Sequence, residues 1–215
     1  PEETTAKNIG QLLYYLPKKN KTDLCLNLLR TTINGKIIIF RRTKFGVDKL
    51  EESLLKNGYK VASIHGDKTQ IVRNKAIEDF KEKKAHILIA TDVASRGIDI
   101  TNVDAIINFD IPNIPETYIH RIGRTGRAGK TGISLVIVSK SEIRKIGHIQ
   151  KKIKKEFIKK DIPSSEEICK VQLFTLANKV NETEVNTNID EYIDDINNLF
   201  KKTKKADLIK KFFSV

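Results

Sequence analysis

From about residue 22 onward, short runs rich in Val and Ile alternate with longer amphipathic stretches. That alternation restricts the chain to very few architectures. The segments "KIIIF" (36–40), "KVASIH" (60–65), "HILIATD" (86–92), "VDAIINF" (103–109) and "ISLVIV" (133–138) read as strands. Their apolar residues are continuous rather than alternating, which predicts strands covered on both faces. Between them, "FGVDKLEESLLKNG" (45–58) sets Val47, Leu50, Leu54 and Leu55 on one helical stripe. "TQIVRNKAIEDFKEK" (69–83) does the same with Ile71, Val72, Ala76, Ile77 and Phe80. Strand, helix, strand in this order predicts a parallel sheet sandwiched by helices, an α/β fold.

Ligands of such sheets gather beyond the carboxyl ends of the strands. The segments expected there are "FRRT" (40–43), "HGD" (65–67), "TDVASRGID" (91–99) and the arginine-rich "HRIGRTGRAG" (120–129). In the last of these, His120, Arg124 and Arg127 fall at i, i+4 and i+7, a spacing that puts them on one helical face as far as Gly126. Guanidinium is permanently charged and planar and can bind two phosphate oxygens together. The glycines at 123, 126 and 129 would let the backbone approach a ligand or a neighbouring domain.

"GRAGKTG" does not qualify as a phosphate-binding P-loop. Counting back from Gly129-Lys130-Thr131, the first required glycine falls on Arg124. The aspartates ending "ILIATD" and "AIINFD" read as strand caps rather than metal ligands, and His65 reads as packed.

A seam is expected at "KKDIPSSEE" (159–167). Pro163 disfavours helix at Ile162, and Ser164 with Glu167 fits a capping box that opens a new helix. Beyond it, three short amphipathic helices form a small all-helical appendage. Ile168, Val171, Leu176 and Val180 line the first, and Ile189, Tyr192, Ile193, Ile196 and Leu199 the second. The domain reading is therefore 1–160 and 161–215.

Charge follows the same division. The whole chain carries a net +13; residues 161–215 hold 8 Lys and no Arg against 10 acidic residues, a net of −2, which leaves +15 on the first 160. A basic body points to a polyanionic partner and a near-neutral tail to another task. Cys25 and Cys169 are too few for a disulfide framework or a zinc site, which favours a reducing cytoplasm. No apolar run reaches the roughly 18 residues of a membrane helix.

"IIIFRRTK", "HGDKTQIVR", "ATDVASRGIDI" and "HRIGRTGRAGKTG" resemble, in order and spacing, motifs IV, IVa, V and VI of DEAD-box RNA helicases, which mark the second RecA-like domain of that family. The likeness runs from about residue 22 to 158. The lead-in "TTAKNIGQLLYYL", within residues 1–21, resembles the segment just after the interdomain linker. The family's P-loop, Asp-Glu-Ala-Asp and Ser-Ala-Thr motifs belong to a first RecA-like domain that this sequence lacks, so the chain reads as a piece of a longer protein.

The resemblance implies the following roles. Arg124 and Arg127 would reach the γ-phosphate of ATP across a cleft between the two domains, with Arg127 as arginine finger. Asp99 would accept a hydrogen bond from the ribose, and Gly97 would permit close approach. Arg96, His120 and Arg121 would face the other RecA-like domain. Thr43, Gly66, Gln70, Arg73 and Thr91 would touch RNA phosphates and sugars without sequence preference. Magnesium would accompany ATP and be held mainly by the other domain. By this reading the piece alone neither hydrolyses ATP nor unwinds RNA.

The tail resembles the segment after the helicase core in bacterial cold-shock proteins of the DeaD type, which implies a homodimer through residues 164–215. A cap folded back on its own domain is the alternative. Two other readings of the whole remain open: a nucleotide-independent RNA-binding module, and a DNA-acting helicase of the wider superfamily.

Overall fold

The computed structural model describes residues 8–16, 20–33, 35–96, 98–127 and 129–214. By backbone contacts the chain divides into two compact units, Pro1–Pro163 and Ser164–Val215. Among the described residues, no helix is long and apolar enough to cross a membrane.

The first unit is built on seven parallel strands: β1 (Ile9–Tyr15), β2 (Ile37–Arg41), β3 (Val61–Ile64), β4 (Ile87–Thr91), β5 (Ala105–Asn108), β6 (Gly132–Val138) and β7 (Ile158–Lys160). They lie in the order β3-β4-β2-β5-β6-β1-β7. The sheet is the RecA-like one the motifs imply. Its helices are α1 (Lys21–Thr31), α2 (Lys44–Lys56), α3 (Gln70–Lys81), the single turn α4 (Asp92–Ser95), α5 (Pro115–Ile122) and α6 (Ile143–Ile153).

Two layers of helix cover the sheet. Leu28 of α1 and Val47, Leu50 and Leu54 of α2 pack on Ile37, Ile39, Ile107 and Ile137. On the other face, Ala76 and Phe80 of α3 meet Ile38, Ile64 and Ile106. Beside them Tyr118 and Ile122 of α5, with Ile146 and Ile149 of α6, meet Ile9, Leu13 and Val136. Register places Ile38 beside Ile106 and Asn108 beside Val136, so these last two clusters share a face.

The five expected strands are present, and two more flank β6 and the sheet edge. β1 lies inside the sheet, paired on both sides, with Gln11 fully buried in its middle. That polar residue breaks the apolar run and conceals the strand from a pattern reading. The helix stripes also need correction. Leu55 is half exposed, and Ile71 and Val72 stand exposed at the start of α3, where only Ala76 and Phe80 further along are buried.

In the second unit, α7 (Ser165–Glu182) opens with the Ser164–Glu167 capping box and is followed by a two-turn 3-10 segment (Thr187–Tyr192), α8 (Ile193–Phe200) and α9 (Lys205–Phe212). Phe200 and Phe212 touch ring to ring at 6.4 Å. No residue of these three helices is buried.

Candidate functional site

β3, β4 and β2 are neighbours, so the loops leaving their carboxyl ends converge at one corner of the sheet. Thr43 caps α2, its Oγ1 accepting a hydrogen bond from the Gly46 amide at 3.0 Å. Gly66 is exposed, and a Cβ added there would meet no heavy atom within 4 Å. The fold itself does not require a glycine at 66. Gln70 opens α3, and its Oε1 accepts from Arg73 Nη1 at 3.2 Å. Arg73 Nη2 donates to the Ala94 carbonyl at 3.0 Å, tying α3 to α4, while its buried Nε has no partner among the described residues. Thr91 ends β4, mostly buried, and its hydroxyl makes no hydrogen bond among the described residues. Beside these polar groups Phe45, Ile71 and Val93 stand 73%, 82% and 75% exposed. Open apolar side chains next to unpaired donors mark a surface built to be covered.

The arginine-rich segment lies elsewhere, which corrects two expectations. First, α5 ends at Ile122, so Arg124 and Arg127 belong to the following turn and do not share a helical face with His120. Second, the turn is not at the carboxyl edge. α5 starts near the carboxyl end of β5, and its eight residues run back roughly 12 Å. The turn is then pinned where β5, β6 and β1 begin: Val103 N donates to Arg124 O at 3.3 Å, and Thr125 Oγ1 donates to Val103 O at 2.5 Å. Gly126 has a φ of +66°, and an added Cβ would lie 2.7 Å from Ile9 Cγ1. Its glycine serves packing against β1 rather than approach to a ligand.

Within this turn Arg124 is half-buried and Nη1 donates to Ile98 O at 2.8 Å; Arg127 is exposed and Nε donates to Gly123 O at 2.5 Å. Neither makes an ion pair among the described residues. Burial and, next, the charge of Arg127 push the Arg124 pKa down, and the carboxylate of Asp99 only partly opposes them. Two guanidiniums that repel each other, one of them partly desolvated and neither ion-paired with a carboxylate among the described residues, form an anion-binding arrangement. Arg96, Asp99 and His120 are exposed and unpaired among the described residues, and Gly97 lies outside those residues.

Arg121 corrects a third expectation. It is 3% exposed and faces inward. Nε and Nη2 hold the two oxygens of Asp92 at 2.6 and 2.8 Å, Nη1 donates to Asn108 Oδ1 and Asp110 O at 3.0 and 2.7 Å, and the guanidinium lies 4.9 Å over the Phe40 ring. Four of its five N–H donors are used within its own domain, which turns the guanidinium inward rather than toward another domain. From Arg121 a buried polar chain continues through Asn108 and Ser134 to Tyr118 Oη, which also donates to Gln11 Oε1. In the sequence Asp92 and Asp110 read as strand caps, and no motif there marks Asn108, Tyr118 and Gln11 as members of the network. Asp110 accepts from Arg41 Nε at 2.8 Å and Arg42 N at 2.9 Å. The polar residues inside apolar runs were the available signal. His65 is buried, its Nε2 2.9 Å from Asp48 Oδ1.

Residues 20–129 match the family described as "Helicase conserved C-terminal domain", and residues 168–215 match "Probable ATP-dependent RNA helicase, helical domain". The chain is 41% identical over 191 residues to the DEAD-box ATP-dependent RNA helicase CshA of Bacillus cereus, covering 89% of this chain and 36% of that protein. It thus spans little more than a third of that relative's length. A solved C-terminal domain of the DEAD-box protein Dbp5 superposes with a TM-score of 0.69 at 34% identity, over 75% of this chain and 94% of that one. Dbp5 of S. cerevisiae bound to RNA and ADP BeF3 gives 0.67 at 34% identity, over 78% and 47%.

Proposed function

The chain belongs to the family of helicase conserved C-terminal domains carried by bacterial DEAD-box RNA helicases, and on that premise we propose that it is the half of an ATP-dependent RNA helicase that completes the nucleotide site and grips RNA. The observation that carries the reading is the pair Arg124 and Arg127, held together without a carboxylate partner among the described residues. An anion must complete them, and a nucleotide triphosphate presented by another RecA-like domain has the required charge. When bound, ATP supplies the phosphoryl group that is transferred to water, with Mg2+ held mainly by the other domain.

The residues of this chain then position and stabilise. Arg127, exposed and tethered only through Nε, acts as the arginine finger, and Arg124 holds the same phosphates from its half-buried place. Asp99 accepts from the ribose, Gly97 permits close approach, and Arg96 and His120 face the other domain. At the sheet corner Thr43, Gly66, Gln70, Arg73 and Thr91 contact RNA phosphates and sugars. The bare Cβ space at Gly66 and the unpaired hydroxyl of Thr91 support this assignment. The solved relative Dbp5 was captured with RNA and ADP BeF3. The arginine turn springs from the strand starts and the RNA loops from the strand ends, so a single rigid body answers to both ligands. The protein works in the cytoplasm, in keeping with its two free thiols.

In the full-length protein, Arg127→Ala is expected to cut RNA-stimulated ATPase about a thousandfold and leave RNA binding largely intact. Loss of RNA binding with unchanged ATPase per bound RNA would favour the nucleotide-independent module instead. Stimulation by DNA equal to that by RNA would favour the DNA-acting helicase.

The tail we assign to self-association. Leu173, Phe174, Val180, Tyr192 and Leu199 are 43–80% exposed, more apolar surface than a unit of this size leaves open unless a second copy covers it. Sedimentation of the chain and of a form ending at Lys160 tests this: the first is expected to dimerise and the second to stay monomeric. Two monomers at high micromolar concentration refute the dimer.

A further inference from the structure

A second basic cleft opens on the carboxyl edge of the sheet, adjoining the corner that holds Thr43. It encloses about 840 Å³ between the ends of β1, β2, β5 and β6. Its position follows from topology. The chain leaves β2 for α2 on one face of the sheet and leaves the adjacent β5 for α5 on the other. The same divergence recurs where β6 leads to α6 and its neighbour β1 leads to α1. Strands whose connections part to opposite faces leave a crevice between their ends, and in open parallel sheets such crevices take ligands. This one spans two of them.

Its electrostatics are lopsided. The two carboxylates in the cleft are already committed: Asp110 to Arg41 Nε at 2.8 Å and to the Arg42 amide, Glu142 to Lys21 Nζ at 2.7 Å and to the Ser139 amide at 3.0 Å. Lys21 is spent further on the carbonyls of Phe109 and Ile137. What remains facing solvent is cationic. Lys140 has no partner among the described residues, Lys49 meets only the charge of Glu52 on its own helix, and Arg42 is half exposed, its Nη2 making a long 3.4 Å hydrogen bond to Ile111 O and a 3.8 Å approach to Glu142. Lys145 donates to the neutral amide oxygen of Asn113 at 2.7 Å. Arg42 precedes Thr43 in the same loop, so the cleft continues the proposed RNA surface.

We propose that this cleft binds the phosphate backbone of single-stranded RNA continuing past the β2, β3 and β4 loops, with Lys49, Lys140 and Arg42 as its contacts. The inference rests on the RNA-binding reading of those loops. It makes the RNA footprint of this domain longer than the corner alone provides.

The test compares labelled oligouridines of about five and about twelve nucleotides bound to the whole chain at several salt concentrations. The double variant Lys49→Gln/Lys140→Gln is expected to weaken the longer oligonucleotide roughly tenfold at low salt and to leave the shorter one unchanged. Its log K against log[salt] slope should fall by about 1.4, two phosphate contacts on a single strand. Gln70→Ala, by contrast, should weaken both lengths. If the double variant weakens both lengths alike, or if Lys151→Gln on α6 has the same effect, bulk charge is responsible and the cleft proposal is overturned. It is also overturned if the double variant changes neither length while Gln70→Ala does, in which case the corner reading stands. Absence of binding at either length by the unaltered chain overturns the corner reading first, and the cleft with it.

Discussion

The guanidinium of Arg121 grips both carboxylate oxygens of Asp92, a residue 29 positions earlier, through Nε and Nη2 at 2.6 and 2.8 Å. This pair fastens α5 to the first residue beyond β4, and so joins the segment that carries Arg124 and Arg127 to the strand end that carries Thr91. It is a direct polar link between the two proposed ligand sites. Removing one partner leaves the other charge desolvated and unpaired, which costs far more than the pair contributes net. Arg121→Met is expected to lower unfolding free energy by about 3 kcal/mol, measured from urea transitions. Arg121→Lys should recover only part of this, because an ammonium cannot reproduce the two-pronged grip. An Arg121→Met protein as stable as the parent would show that the pair does not hold the domain together.

Gly126 makes a separate prediction. Its positive φ of +66° and the 2.7 Å approach of an added Cβ to Ile9 Cγ1 are two distinct penalties. Together they predict that Gly126→Ala destabilises by about 2 kcal/mol. In an Ile9→Ala background the steric part disappears and the conformational part of about 1 kcal/mol remains. Equal costs in both backgrounds would show that the contact with β1 has no part in fixing the turn.

Much of this could be read from the residues, and the failures share a cause. β2 to β6 announce themselves because Val and Ile fill both faces of each strand. β1 does not, since Gln11 interrupts it, and among the described residues Tyr118, 107 residues away, gives its side chain a partner. The motifs located the arginine cluster in the chain but not in space. Spacing alone suggested one helical face at the strand ends, whereas the position of Arg124 depends on where α5 stops and on which edge it returns to. Arg121 looked like its neighbours because a sequence shows charge and not direction. Its burial is decided by Asp92, Asn108 and Phe40, each contributed by a different strand end. Local pattern, in short, reports the elements, and the long-range partners decide which of their polar residues are left for ligands.

The two thiols are predicted to differ sharply. Cys25 is fully buried on α1, and burial pushes its pKa up to about 12 despite the nearby charge of Arg41, so almost none is thiolate at neutral pH. Cys169 on α7 is exposed. A chromogenic disulfide reagent should titrate a single thiol in the native chain and two after unfolding in denaturant. Cys169→Ser should abolish the native reaction. Rapid modification of that variant would mean that α1 opens readily from the sheet, contrary to its packing on Ile37 and Ile137.

Acid sensitivity is expected to centre on Glu142, which bridges Lys21 and the start of the turn after β6. Burial alone would raise its carboxyl pKa. The ammonium of Lys21 at 2.7 Å, the Ser139 amide and the Ser139 hydroxyl outweigh that, and the pKa lies below the ordinary value of 4.5. A carboxyl held lower in the folded chain than in the unfolded one stabilises the fold in its ionised form. That contribution is complete above the unfolded value and disappears as pH falls past it and through the lowered folded value. The substitution Glu142→Gln removes the titration while keeping the shape. The parent is therefore expected to be more stable than Glu142→Gln by about 1 to 2 kcal/mol at pH 7, with the gap closing as pH is brought below the ordinary glutamate range. Urea midpoints of both proteins across that interval measure it. A gap that widens on acidification would mean that the carboxylate is a burden in the folded chain, and that Lys21 is held by the carbonyls of Phe109 and Ile137 alone.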